Sequence, residues 1–352
     1  MPGTRYTDHH VHFLATVAAR LSVDVSAARD VAALLQILSA VPGHGWIRAW
    51  GYEEWALAEN RHPTVEELDR AVPGRPVVLH HRTGHAAVLN SSALAEVGAD
   101  PGAGGLLVDR HDLLSRVPRL DQEALEQAAA SVSADWQRAG IGSFTDATHT
   151  NGPEELELLA GWYRGGIIKQ EMTVMVGSES LASVPPFGSS HAGVTVGPVK
   201  LMAADVAKVA AAHAAGFPVA VHVVEPSGLA ECLSAFAASA PPDWLIDRVE
   251  HNALCLPEQV GELARLPVAV VVNPSFLTHR RRKFELEVSP VEQAWLIRIR
   301  SLLAAGVTVR AGSDSPVVPA RPDEIIAAAT GHALEQGESV TIEEAIRLLS
   351  PL

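Results

Sequence analysis

Short apolar runs recur along this sequence, and most are followed by a stretch whose apolar residues repeat every three or four positions. The first pattern predicts buried strands and the second predicts amphipathic helices. The predicted strands are 6–13, 143–147, 169–176, 194–201, 218–224, 247–252, 267–272 and 307–312. The predicted helices are 154–163, 203–215, 226–237, 256–263 and 292–305. Strands that alternate with helices predict an α/β fold, here a (β/α)8 TIM barrel formed as a single domain by residues 1–352.

The first connection in this scheme is far too long for one helix. Residues 14–138 therefore form a predicted insertion, with a helix near 30–40 and strands at 46–51 and 76–81. We expect the insertion to carry structure of its own beside the barrel.

The first predicted strand contains the sequence Asp8-His9-His10-Val11-His12-Phe13. Side chains alternate along a strand, so His10 and His12 point to the same side and form a chelating pair. Imidazole is a common ligand of zinc and similar ions. A His-rich segment near a starting methionine is also typical of a disordered tag or a loop, and on its own the pair indicates a metal site only weakly.

The predicted barrel allows a test of whether the histidine pair belongs to a metal site. Catalytic groups of such barrels lie at the carboxyl ends of the strands, so further metal ligands should occur there. Metal-capable side chains occur at the ends of the first, fourth, fifth, sixth and eighth predicted strands: His10, His12, Lys200, His222, His251 and Asp314. Each has an ordinary explanation as well. Lys200 is compatible with a surface charge and His222 with a core residue, whereas Arg248 to His251 could be a turn and Gly312 to Pro316 a helix cap. The ordinary explanations do not account for the coincidence of all six at one rim.

The composition of the chain disfavours some classes of binding partner. The net charge of −14 disfavours nucleic acid and an anionic membrane surface. The sequence has no apolar stretch of about 18 residues and no apolar signal core, so we expect a cytoplasmic protein that acts on a small molecule. Cys232 and Cys255 are too few for a disulfide framework.

The order of several motifs resembles the amidohydrolase superfamily, and within it the amidohydrolase-3 group of YtcJ-like hydrolases and N-substituted formamide deformylases. The resemblance covers nearly the whole chain. Its pieces are Pro2-Gly3 before the histidine pair, 46–52, 75–79 with 84–91, 140–146, Val199-Lys200, His222, 248–251 and 311–314. It implies a metal-bearing (β/α)8 barrel that hydrolyses an amide, N-formyl, N-acyl or cyclic imide bond.

The resemblance also implies a ligand set. His10, His12 and Asp314 would hold one divalent ion, His222 and His251 a second, and a carboxylated Lys200 would bridge them. We expect zinc, with two ions per chain or one if Lys200 is unmodified. Asp314 would be the general base and then the general acid.

Substrate-binding residues are predicted less directly. By the resemblance, His85 would be catalytic and would donate a hydrogen bond to the substrate carbonyl, although His80, His81 and His85 are equally compatible with the edge of a surface strand. Trp50 would line a pocket or fill the core of the insertion. Asn273, which follows the seventh strand, is a further predicted substrate contact.

Two alternatives stay open. Glu225 completes a His-x-x-Glu sequence with His222, which resembles mononuclear zinc deaminases and cyclic amidine hydrolases, in which Lys200 would be structural. A non-catalytic binding subunit is the other alternative, because the small β-sandwich that flanks the barrel in relatives is largely absent from this sequence. The apolar surface left by that absence would be exposed or paired in a homo-oligomer.

Overall fold

The computed structural model describes residues 5–99, 104–239, 241–242 and 244–351. The chain forms two compact units, one of Met1–Phe13 with Ser133–Leu352 and the other of Leu14–Val132. The second unit falls within the predicted insertion of residues 14–138. The interpretation as one domain with an inserted subregion stays a prediction.

The strands of the described residues, in chain order, are β1 (Tyr6–Val11), β2 (Val23–Asp24), β3 (Ile47–Tyr52), β4 (Val77–His81), β5 (Ala86–Leu89), β6 (Leu106–Val108), β7 (Ile141–Asp146), β8 (Glu171–Gly177), β9 (Ser190–His191), β10 (Val194–Leu201), β11 (Val219–Val223), β12 (Asp247–His251), β13 (Val268–Val272) and β14 (Thr308–Ala311).

The helices of the described residues are α1 (Phe13–Arg20), α2 (Val31–Ser39), α3 (Val65–Ala71), α4 (Ser91–Val97), α5 (His111–Leu114), α6 (Gln122–Arg138), α7 (Pro153–Arg164), α8 (Val206–Ala214), α9 (Pro226–Ala238), α10 (Pro257–Leu263), α11 (Phe276–His279), α12 (Arg281–Glu287), α13 (Ile299–Ala304), α14 (Pro322–Thr330) and α15 (Ile342–Leu348). None of them is long and apolar enough to cross a lipid bilayer.

Eight parallel strands of the first unit form the barrel, in the order β1-β7-β8-β10-β11-β12-β13-β14. The short strand β9 pairs antiparallel with β10 outside this order. The barrel closes where β1 meets the end of β14. There the amide of Asp314 donates to the carbonyl of His10 (2.7 Å), and the amide of His12 donates to the carbonyl of Ser315 (2.7 Å). The predicted (β/α)8 barrel and its eight strands are confirmed.

Apolar runs form these strands because parallel barrel strands are covered on both faces. All five residues of β13 are buried, for example. Some of the helices begin where the sequence supplies a capping carboxylate or a proline. The Asp205 carboxylate accepts from the amides of Ala207 and Lys208 at the start of α8, and Pro226 occupies the first turn of α9.

The predicted helix 292–305 was wrong over its middle. The chain forms a 3-10 turn at Glu292–Trp295, and α13 begins only at Ile299. Ile297 between them has a φ of +46°, which no α-helix contains. Its amide donates to the carbonyl of Ala253 instead of to a helical carbonyl. Pairing with the segment after β12 therefore outweighs the helical periodicity of the sequence.

The second unit contains a five-stranded sheet in the order β2-β3-β4-β5-β6. The pairs from β2 to β4 are parallel and those from β4 to β6 are antiparallel. The helix predicted at 30–40 is α2, and the predicted strands 46–51 and 76–81 are β3 and β4. Asp30 caps α2, whose Leu34 and Leu38 are fully buried in the core of this unit.

Candidate metal centre

Two histidines of β1 meet an aspartate at the barrel seam. The carboxylate Oδ1 of Asp314 lies 3.1 Å from Nε2 of His12 and 3.5 Å from Nε2 of His10. Tetrahedral zinc with ligand bonds near 2.0–2.2 Å separates its ligand atoms by about 3.3–3.6 Å. One distance lies in this range and the other is about 0.2 Å shorter, and all three atoms lie within 4.8 Å of one another, so the group is compatible with one small divalent ion.

Close contact between the first and last barrel strands creates this spacing. Oδ1 of Asp8 accepts from the amides of both His10 (3.2 Å) and Ser313 (2.9 Å), so one carboxylate joins the two strand ends. A Cβ on Gly312 would lie 2.5 Å from the backbone nitrogen of His10, so only glycine fits there. Asp314 follows with a φ of +65°, a left-handed conformation that is uncommon for non-glycine residues.

The remaining predicted ligands lie on the next part of the same rim. His222 on β11 pairs in register with Glu250 on β12, and the neighbouring pair brings Val223 beside His251. The ring centroid of His251 lies 4.5 Å from that of His222 and 4.6 Å from that of His10. His251 also has a positive φ, +68°. The structure therefore brings three histidines from three different strands together.

Lys200 lies inside the barrel on β10, one strand before His222. Its side chain is buried, and Nζ has no hydrogen-bond partner among the described residues. Burial lowers the pKa of Lys200 to about 8, from an ordinary value of 10.5. A buried amine without a partner is rare in a folded protein and calls for a ligand or a modification.

Two other buried polar atoms at the rim, Nε2 of His10 and Oδ1 of Asp314, also make no hydrogen bond within the described residues, although they lie 3.5 Å from each other. Burial, followed by the charge of Lys200, holds the pKa of His10 well below its ordinary value, and burial does the same for His251. Both imidazoles are therefore neutral, as metal ligation requires. The donor set and its unpaired atoms fit a divalent cation.

A carboxylate supports His10 from behind. Nδ1 of His10 donates to Oε2 of Glu250 over 2.5 Å, and Arg248 donates to both oxygens of Glu250. Burial alone would raise the pKa of Glu250, but the charges of Arg248 and Lys200 outweigh it and hold the pKa below the ordinary value. The ion pair with Arg248 keeps the carboxylate an acceptor for the proton of His10. Nδ1 of His12 meets the hydroxyl of Thr148 at 3.0 Å.

An amide supports His251 in the same way. Nδ2 of Asn273 donates to the carbonyl of Gly312 (2.9 Å), which leaves Oδ1 to accept from Nδ1 of His251 (2.7 Å). Both polar groups of Asn273 thus contact protein, and its predicted role in substrate binding stays a prediction.

Four further residues contribute to this site but have no role predicted from the sequence: Asp8, Thr148, Arg248 and Glu250. For Arg248 and Glu250 the sequence did contain a signal. Side chains alternate between the faces of β12, which places these two residues on one face and Val249 on the other.

Three other predicted site residues belong to other elements of the chain. Glu225 is exposed at the start of α9 and makes no capping bond. His85 and Trp50 belong to the second unit. There Nδ1 of His85 lies 2.9 Å from the carboxylate of Asp109, and the Trp50 ring lies 6.3 Å from that of His80. Their catalytic or substrate-binding roles stay predictions.

A (β/α)8 barrel that gathers histidines and an aspartate at the carboxyl ends of its strands has the architecture of a metal-dependent hydrolase. Comparison with known proteins agrees. The model of the amidohydrolase family matches residues 6–351. The chain belongs to the amidohydrolase family, as its sequence motifs predicted.

Individual relatives are distant but cover the chain. It is 26% identical to an N-substituted formamide deformylase from Arthrobacter pascens, over 99% of this chain and 77% of that protein. It is 24% identical to YtcJ of Bacillus subtilis (strain 168), named as an amidohydrolase, over 99% of this chain and 78% of that one. An uncharacterized metal-dependent hydrolase from Pyrococcus horikoshii OT3 shares the fold, with a TM-score of 0.78, 20% identity, and coverage of 98% of this chain and 79% of that one.

Proposed function

We propose that this protein is a metal-dependent hydrolase that cleaves a carbon–nitrogen bond of a small amide, such as an N-formyl amine, an N-acyl amine or a cyclic imide. The convergence of His10, His12 and Asp314, whose ligand atoms all lie within 4.8 Å of one another, carries the proposal. Membership of the amidohydrolase family and the likeness to a formamide deformylase support the choice of bond.

The proposed centre holds two zinc ions. His10, His12 and Asp314 would hold the first, and His222 and His251 the second. Lys200 would bridge them as a carbamate, formed when its neutral amine adds to carbon dioxide and releases a proton. The burial of Nζ without a partner among the described residues supports this modification, because a carbamate supplies anionic oxygens where the amine finds no acceptor.

When bound, the ions supply Lewis acidity, which polarises a carbonyl and lowers the pKa of water. The protein then has to move protons. The Asp314 carboxylate, 7% exposed at the rim, takes a proton from the attacking water and returns it to the leaving nitrogen. His10 and His251 stay neutral and hold their rings in place through Glu250 and Asn273.

Metal content, lysine modification and turnover test the proposal together. We expect about two zinc ions per chain, a mass increase of one carbon dioxide on Lys200, and hydrolysis of at least one N-formyl amine, N-acyl amino acid or cyclic imide. Lys200→Met should lose the modification, part of the metal and the activity. The matched control is Lys208→Met on α8, whose exposed amine pairs with Glu179 and should be dispensable.

Other outcomes would contradict the proposal. One ion per chain, an unmodified Lys200 and activity on amidines that depends on Glu225 would indicate a mononuclear deaminase or cyclic amidine hydrolase. Full metal occupancy without turnover of any amide, ester or amidine would indicate a non-catalytic binding subunit.

A further inference from the structure

We propose that Glu250, anchored by Arg248, is a positioning residue of the metal centre and that it makes the ion at His10, His12 and Asp314 the more tightly held of the two. This inference rests on the proposed binuclear site. Glu250 and Arg248 would not coordinate the ion themselves. They would determine how the imidazole of His10 is oriented towards it.

The first step is the orientation of His10. Its Nδ1 is committed to Glu250, so Nε2 is the only nitrogen that can reach an ion. Within the described part of the chain, Nε2 is also a buried atom without a hydrogen-bond partner, and it faces Asp314. The ring is fully buried and cannot exchange this arrangement for contact with water.

The second step is the fixing of Glu250 itself. Nε of Arg248 donates to Oε1 of Glu250 (2.7 Å), and Nη2 of Arg248 donates both to Oε2 (3.2 Å) and to the carbonyl of His9 (2.8 Å). Glu250 is 0% exposed and Arg248 5%, so the pair lies inside the barrel. The guanidinium thus ties the carboxylate to the backbone beside His10, and the acceptor cannot move away from the imidazole.

The third step is the contrast between the two ions. The acceptor behind His10, at 2.5 Å, is a carboxylate held in an ion pair by Arg248, whereas the acceptor behind His251, at 2.7 Å, is the neutral amide of Asn273. A charged acceptor draws the imidazole proton more strongly and makes the opposite nitrogen a better donor to a metal. The ion bound through His10 should therefore be released last.

Chelator titration of the zinc-loaded protein tests which of the two ions is held more tightly. The zinc content per chain is measured at each chelator concentration, and the melting temperature of the apo protein is measured for each variant. We expect two release steps in the wild type. His222→Ala should abolish the weaker step and His12→Ala the tighter one, which assigns each step to its ion. Glu250→Gln should weaken the tighter step by about 10- to 100-fold and leave the weaker step within twofold.

Breaking a buried ion pair can destabilise a protein by itself. Two further variants separate this loss of stability from the expected loss of zinc affinity. Glu338→Gln breaks another ion pair with a buried carboxylate, in which Nε of the partly buried Arg298 lies 3.2 Å from the Glu338 carboxylate, and should leave both release steps unchanged. The double variant Arg248→Met with Glu250→Gln removes both buried charges and should fold, yet still weaken the tighter step.

The inference is overturned if Glu250→Gln leaves the tighter step within twofold of wild type, shifts both steps equally, or weakens the step assigned to His222. Its failure differs from failure of the proposed function. A wild-type protein that binds fewer than two ions contradicts the binuclear site, whereas normal two-ion binding with an unaffected Glu250 variant contradicts this inference alone.

Discussion

Gly312→Ala is the substitution for which the structure gives the clearest prediction. The new Cβ would lie 2.5 Å from the nitrogen and 2.6 Å from the Cβ of His10, whereas ordinary contacts begin at 3.4 Å. The ends of β1 and β14 would have to separate by about 0.9 Å, because the obstacle is largely backbone. Overpacking of this kind costs roughly 1–3 kcal/mol. An unfolding entropy near 2.1 cal/mol/K per residue then gives a fall in Tm of about 1–4 °C for a chain of this length.

The effect on metal binding should be much larger than the effect on stability. A displacement of about 0.9 Å exceeds the ±0.2 Å that ligand bonds tolerate, so the spacing of His10, His12 and Asp314 would be lost. We expect Gly312→Ala to melt within a few degrees of wild type but to release zinc at a far lower chelator concentration, as followed by calorimetry and metal analysis.

The matched control is Gly228→Ala on α9, where a Cβ would meet nothing within 4 Å. It should be neutral or slightly stabilising, because alanine favours a helix over glycine by about 1 kcal/mol. The reasoning is refuted if Gly312→Ala binds zinc as tightly as wild type, or if both variants lose it equally.

Three further predictions concern other parts of the chain. Lys200→Met should lower zinc content while the apo protein melts at the wild-type temperature or above, since the buried amine lacks a partner among the described residues; a large loss of apo stability would count against this. The hydrogen bond from His81 lowers the pKa of Glu54 from 4.5 to about 2. The contribution of this pair to the free energy of unfolding is therefore complete above about pH 5 and is lost as the pH falls towards 2. In urea unfolding measured at several pH values, Glu54→Gln should remove this part of the acid sensitivity. Thr64→Ala should lower the free energy of unfolding by about 1 kcal/mol, because it removes the capping box that Thr64 forms with Glu67. Equal urea midpoints for the variant and the wild type would contradict this prediction.

The barrel was predictable because each of its strands is a local pattern. The run Val268 to Val272 is apolar throughout, and the sequence around Asp205 and Pro226 marks where helices begin. Strand ends then predict one rim, so His10, His12 and Asp314 could be placed together without coordinates.

Contacts between distant segments could not be predicted in the same way. The interaction between Ile297 and Ala253 breaks a helix that the local sequence favours. Nothing near Glu250 in the sequence indicates that its partner is His10, 240 positions away. The hydrogen bonds of Asn273 to His251 and Gly312 could not be predicted from its position after β13 either. Such roles depend on which side chains face one another across the barrel, and sequence periodicity does not specify that pairing.

The seam of the barrel has a consequence for how the protein matures. The carboxylate of Asp8 holds the amide of Ser313 across 305 positions of sequence, and the paired histidines meet Asp314 at the same junction. Both the first and the last barrel strand must therefore be synthesised before this candidate cation site can form. A divalent ion bound there would join the first and last barrel strands and add to the stability of the closed barrel.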